Sequence, residues 1–444
     1  MRLFYLLAVA WLLVCCGCDT KQTAPTLNDA LILELSELPR ARQSPLVALR
    51  EEIARLEQEA ATPALLAETS VGEQDGIKLI VELFPGEDLA ELDRESGQML
   101  PLPSFRVGPI QLERLHRFRA KYNAPREQAR RWASEATTGF RVDPRQGWFV
   151  DTSFISAATV AVRLEMLYAV EQLAAGDLNG AADAWDSAMT LCERLAATPH
   201  VNARLAAVHL RADLLQLLAA IVQSPQATGE LASRLAKRLQ AALDRWPAEA
   251  DLWRMDRAVS MHAYELIRAG HLLHILTPDE VQQFAEEQIL RELEGAAQRF
   301  TDADQLFYLN AMRSIVASCR ATSDAAEPPY YLRTAAIDDV LQTLDATRGD
   351  SDYPLIAARL LLPGVRPAQQ LLALDRARCE AWLLALSQAG GGPPPTYELS
   401  PLTGRPYTVR LEEHRVVVSG FSDDPLGEPA VIVPRFDIRV SRLP

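Results

Sequence analysis

Apolar residues recur at helical spacing along most of this chain, and only near its C-terminus does the period drop to two. In residues 46–61, Leu46, Leu49, Ile53 and Leu56 form the narrow stripe of an amphipathic helix. Residues 110–136 predict another, with Leu112, Leu115 and Phe118 on one side and arginines on the solvent side. Between them lies a Gly- and Pro-rich stretch, 72–109, carrying Lys78-Leu79-Ile80-Val81-Glu82-Leu83-Phe84-Pro85. That run fits a buried strand and a helix start equally well, because periodicity does not separate them. A long helical body follows over 153–387. Val162, Met166, Ala169, Val170 and Leu173 share one face before Gly176-Asp177 breaks the pattern. Ala181, Ala184, Trp185, Ala188 and Leu191 resume it until Pro199. Helices are expected at 204–222, 230–246 and 252–276. Thr277-Pro278-Asp279-Glu280 then opens a further one, with Thr as cap and Pro in the first turn.

Near residue 389 the grammar changes. Residues 389–395, Ala followed by three Gly and three Pro, read as a linker that leaves the tail uncoupled from the helices. Beyond it Tyr407, Val409 and Leu411 alternate with polar residues, and Val416-Val417-Val418 follows the turn Glu412-Glu413-His414. Val431, Val433, Phe436, Ile438 and Val440 complete a small antiparallel sheet. Within the helical body, residues 160–199 resemble a tetratricopeptide-type hairpin: Gly at the turn, small residues between helices, an aromatic among them, and a closing Pro. A solenoid needs at least three repeats, and the signature occurs in this one unit. The predicted fold class is therefore mainly α, stacked helical hairpins that are tetratricopeptide-like in part, with a small C-terminal antiparallel β module.

The first residues give an address. Met1-Arg2 is a positive start, and Leu3 to Val14 carries no charge. This apolar run of about a dozen residues is short of the roughly 20 that span a bilayer, but it suits a secretory signal. Val14-Cys15-Cys16-Gly17-Cys18 then offers a lipoprotein cleavage site. Cys18 has the favoured Gly17 before it, and is the expected lipid acceptor. Cys16, with Leu13 at the aliphatic position, is the alternative. Two acyl chains there would anchor the protein firmly to a membrane. The expected organisation is a signal peptide at 1–17, a tether at 18–45, a mixed and mostly helical region at 46–152, the helical body at 153–388, the linker at 389–395 and the β module at 396–444.

Composition narrows the role. Hydrophobic residues make up 48% and charged residues 23% of the 444, as in folded globular proteins. The net charge is −14, and no cluster of Lys and Arg suited to phosphate contacts stands out, which excludes nucleic acid as an expected partner. Outside the signal only Cys192, Cys319 and Cys379 remain. They are read as buried small side chains rather than a disulfide framework, although export would permit one bridge.

Ser400-Pro401-Leu402-Thr403-Gly404-Arg405-Pro406-Tyr407 followed by a hairpin resembles the Asp-Pro-Phe-Thr-Gly-x-Pro-Leu motif that closes uncharacterised planctomycete-type envelope proteins. These join an export signal, a long helical body and a short tail similar to the C-terminal sheet of major pseudopilins. Here Ser400 replaces the usual Asp, Leu402 replaces Phe, and a lipobox stands where a prepilin peptidase site would. The resemblance covers about fifty residues and implies an envelope location, not pilus assembly. In pseudopilins an acidic loop near this point holds calcium. Ser422-Asp423-Asp424 offers too few oxygens for that and reads as a solvated turn.

Candidate chemistry is sparse. His271 and His274 are the one close histidine pair, and they lack a third ligand on the same face. Glu113 and His116 have di-iron spacing but no second copy. Trp148, Trp185, Trp246 and Trp253 are expected in packing roles. No cofactor, metal or small-molecule substrate is assigned. The preferred expectation is a non-enzymatic, lipid-anchored protein of the bacterial envelope whose helices present a groove to another envelope protein. The alternative is an envelope hydrolase acting on glycan or peptidoglycan through two carboxyls in a common pocket with a raised pKa.

Overall fold

The computed structural model of the protein describes residues 40–60, 76–136, 138–142, 144–287, 289–299, 301–320, 327–392, 395–422 and 430–436. The expected signal peptide, Cys16, Cys18 and most of the expected tether lie outside them. Among the described residues are fifteen α-helices and one three-stranded sheet, so the fold is mainly α with a small antiparallel β module.

The N-terminal half begins with α1 (Val47–Ala60), α2 (Gly76–Glu82), α3 (Leu89–Met99), α4 (Pro109–Lys121) and α5 (Asn123–Glu135). The open question at Lys78 is thus answered as helix. Residues 110–136 form two helices, broken at Tyr122, rather than one. All of α2 to α5 pack against α6 (Ser153–Ala174), which is why α6 is apolar on nearly every side. Its stretch Gly147–Ala174 and α8 (Val201–Val222) are long and apolar enough to cross a membrane, yet most of each is buried inside the body.

α6 and α7 (Leu178–Ala196) form the expected hairpin. The Gly176 N–H donates to Leu173 and the Asp177 N–H to Gln172, a Schellman closure that needs the positive φ of 79° Gly176 adopts. Asp177 then caps α7 through the Gly180 N–H. Ala181, Ala184 and Ala188 are fully buried, so the helix axes approach closely. Trp185, also fully buried, donates from Nε1 to the Leu214 carbonyl of α8 at 2.8 Å.

The chain continues through α9 (Gly229–Asp244), α10 (Glu249–Arg268), α11 (Pro278–Glu286), α12 (Ile289–Arg299), α13 (Thr301–Ser318), α14 (Tyr330–Ala346) and α15 (Val365–Ala389). α10 ends at Arg268 rather than near residue 276, because Gly270 turns the chain into a short 3-10 turn, Leu272–His274. The expected Thr277 cap opens α11, and Glu280 completes it as a capping box.

Two apolar cores result. The first joins α2 to α9, the C-terminal half of α15 and the sheet; the second joins α1, α10, α12 to α14 and the N-terminal half of α15. α8 and α15 run through both: Val208 and Leu372 lie in the second core, Leu214 and Ala377 in the first.

The sheet is ordered β1 (Thr408–Leu411), β2 (Arg415–Ser419), β3 (Val431–Pro434), with Val416 opposite Val433 and Val418 opposite Val431. These four valines are buried against α15 in the first core. The expectation of an uncoupled tail is overturned, for two physical reasons. The sheet has one apolar face too small to stand alone. The glycines also serve a different purpose: Gly390 and Gly391 close α15, and a Cβ on Gly390 would lie 3.4 Å from the Gly229 carbonyl oxygen, where α15 meets α9.

Candidate functional site

Charged groups converge most closely at the seam between the two cores. On α8, Arg211 is buried and pairs with Asp375 of α15, with its guanidinium 4.6 Å from the Trp246 ring centroid. Two turns earlier, buried Arg204 donates to the Thr198 carbonyl. Across the seam Arg333 of α14 pairs with Glu249, the first residue of α10. The Glu327 carboxylate caps that helix, accepting from the Glu249 N–H at 3.0 Å and the Ala250 N–H at 3.2 Å. Burial pushes Asp375 up to about 6 against the pull of Arg211, and pushes Arg204 down to about 10. Arg204, Arg211, Trp246, Glu249 and Asp375 enclose a cavity of about 10 Å³. That volume holds about one water molecule. Chemically the seam pairs charges; it does not admit a substrate.

A second polar layer lies between α10 and α13. Asp256, Ser260 and Tyr264 share one face of α10, at every fourth position. The Tyr264 hydroxyl donates to Asp304 of α13 at 2.6 Å, and its ring lies 5.8 Å from that of Tyr308. Asp304 also accepts the N–H groups of Ile356 (2.7 Å) and Ala357 (2.9 Å), fixing a π-helical turn at Ala357–Leu361. Burial pushes Asp256 up to about 7, offset in part by the neighbouring Tyr308 hydroxyl, and Asp304 up to about 6. Two buried carboxyls with raised pKa values are a hydrolase's requirement, but these sit between packed helices. A larger surface depression, about 420 Å³, lies elsewhere and is lined by Pro103, Ser104, Arg106, Gln216, Ala219 and Gln223, with one ionisable group among them.

A third cluster corrects the sequence reading of α4 and α5. Arg119 and Arg126 do not face solvent. Both are buried, and Glu165 of α6, itself fully buried, takes Arg126 at 3.0 Å and Arg130 at 2.9 Å. Arg119 binds Glu171 at 2.9 Å, and the Arg126 guanidinium stacks 4.4 Å from the Tyr168 ring centroid. The available signal was the pair of acids inside a largely apolar α6. Asp256, Asp304 and Asp375, each in a helix with at least one further acid, were also missed by sequence reasoning.

The residues singled out from sequence fall as follows. His271 and His274 meet edge to face, 5.1 Å between centroids, and among the described residues no group of three His, Cys, Asp or Glu is placed to hold a metal. His116 lies 3.3 Å from Glu171, while Glu113 pairs instead with Arg117. Trp253 is buried like Trp185, Trp246 lies beside Arg211, and the Trp148 N–H donates to His262 Nδ1 at 2.8 Å. Cys192, Cys319 and Cys379 are buried thiols; burial pushes Cys192 and Cys319 up to about 12, which keeps them unreactive. Asp423, Asp424, Ile438 and Val440 lie outside the described residues.

The Ser400–Tyr407 motif builds a structural turn. Ser400 Oγ accepts the Leu402 N–H at 3.3 Å and the Thr403 N–H at 3.4 Å, as an Asp there would, and donates to the Phe421 carbonyl at 3.2 Å. Gly404 has a positive φ of 69°, and a Cβ on it would lie 2.7 Å from the Tyr331 ring of α14. Tyr407 donates to buried Glu380 of α15 at 2.7 Å. No protein-family profile, curated protein or solved structure matches this chain.

Proposed function

We propose that this chain is an exported protein of a bacterial cell envelope, lipid-anchored at Cys18, that acts as a non-enzymatic scaffold for a partner protein. The anchor is supported by the ordered signal Met1 to Gly17 and by the cysteines that end it. One observation carries the scaffold reading. The buried acids and bases pair with one another between helices, as Arg211 does with Asp375 and Arg126 with Glu165, and the space beside the Arg211–Asp375 pair holds about one water. The chemistry of the body is thereby committed to holding a helical stack together, and stacked helical hairpins present surfaces to other proteins. The resemblance of Ser400–Tyr407 to planctomycete-type envelope proteins agrees with this location.

The test is a cross-linked pull-down from solubilised envelopes with wild type, Cys16→Ala and Cys18→Ala. Wild type and Cys16→Ala should fractionate with membranes and recover the same protein reproducibly, whereas Cys18→Ala should appear in the soluble fraction. Equal release by both changes, or by neither, defeats the anchor. Reproducible recovery of nothing defeats the scaffold.

A further inference from the structure

Residues 40–60 hold to the rest of the molecule in an unusual way. They comprise a 3-10 turn, Arg40–Gln43, and α1, and their tertiary contacts fall on α10 and α13. The turn is clasped by one carboxylate: Glu265 of α10 accepts the N–H groups of Arg40 and Ala41, the latter at 3.2 Å. Arg268 holds Glu265 in place at 2.8 Å and also reaches Asp302 of α13, which takes the Ser44 hydroxyl. Further along, Glu52 accepts from Arg313 of α13 at 3.0 Å. Between these polar fasteners, Leu49, Ile53 and Leu56 enter the second core at i, i+4 and i+7 spacing. This is the anchor pattern by which an amphipathic helix lies in a groove. The segment is small, and its ordering entropy stands against three apolar anchors and a few polar bonds.

We propose that residues 40–60 are a strap that occupies, in cis, the docking face of the scaffold. When the Glu265 clasp opens, the strap leaves as a unit and uncovers on α10 and α13 an apolar face shaped for the amphipathic helix of a partner. The partner helix carries aliphatic side chains at i, i+4 and i+7 and an acid positioned for Arg313. The inference rests on the scaffold reading above, and gives that scaffold a site and an autoinhibited state.

The experiment uses the full chain without its signal and a fluorescent peptide of residues 40–60 as the probe. Ile53→Asp, which weakens the strap and leaves the face on α13 intact, should bind the peptide about tenfold tighter than wild type, because the competing segment is displaced. Equal affinities, binding to neither, or an Ile53→Asp chain that loses its helical content each overturn the proposal. In wild type, amide exchange in α1 should run ahead of exchange in α10 and α13. Exchange in α1 only through global unfolding overturns it as well. If the peptide fails while the envelope pull-down succeeds, the strap falls and the scaffold stands; the converse result separates them the other way.

Discussion

Trp185 and Asp183, two residues apart on α7, show how much position decides. Trp185 is fully buried between α7 and α8, and its indole N–H is satisfied by the Leu214 carbonyl. Truncation removes both the largest side chain of the hairpin and that bond. Trp185→Ala should cost about 3–5 kcal/mol. Asp183 faces outward and pairs with Arg234 of α9, both side chains exposed. Water and salt screen such a pair, so Asp183→Ala should cost less than about 1 kcal/mol. Thermal melts of the two variants compare them directly, and similar small shifts would contradict the hairpin packing. Both side-chain positions were legible from the helical period alone. The burial of Arg119 and Arg126 was not. An arginine on a helix tells nothing of its depth until the acid it meets is known, and Glu165 and Glu171 lie about forty to fifty residues away in sequence.

At the scale of elements, most helices were readable because each carries its own apolar stripe and its own stop. The Gly176 turn and the Thr277 cap are local signals and act locally. The relation of tail to body was not readable. Gly and Pro in succession describe a flexible linker and a helix cap equally well, and only the approach of Gly390 to Gly229 separates the two. The consequence is testable. Deleting residues 396–444 removes Val416, Val418, Phe421, Val431, Val433 and Phe436 from the first core. Six buried side chains at about 1.5–3 kcal/mol each amount to on the order of 10 kcal/mol. That is comparable to the whole stability of a typical domain. The truncated chain should lose its cooperative melt and bind a hydrophobic dye. A truncated chain that melts like the intact one would show the sheet to be an accessory. The charged seam was not readable either, since its residues meet only after folding; of the strap, the sequence showed the apolar stripe of α1 but not the face it packs against.

For the molecule as a whole, the buried carboxyls set a response to pH. Asp256 at about 7, and Asp213, Asp304 and Asp375 at about 6, all lie above the ordinary aspartate value of 3.8. In each case the folded protein holds a proton that the unfolded chain would release. Their contribution to stability is therefore present below about pH 4 and is lost as pH rises through 6 to 7. His200 opposes this trend: burial lowers it to about 4, so its contribution is lost as pH falls below 6.5. Asp256→Asn mimics the protonated form. Relative to wild type, it should change little at pH 3 and gain stability on the order of 4 kcal/mol by pH 8. Melts across that range decide it, and a difference independent of pH would mean that Asp256 ionises freely in the fold.

The placing of the sheet also bears on how the chain is made. The first core draws on residues from Ile80 to Phe436, so its earliest helices, when they leave the ribosome, lack the strands that cover them. Until the last strand arrives, the inner flank of α15 and the apolar surround of α8 remain open to solvent. At ordinary rates of synthesis that delay lasts many seconds, long enough for aggregation to compete. A chain of this design completes its first core only once the strands of the β module have been made.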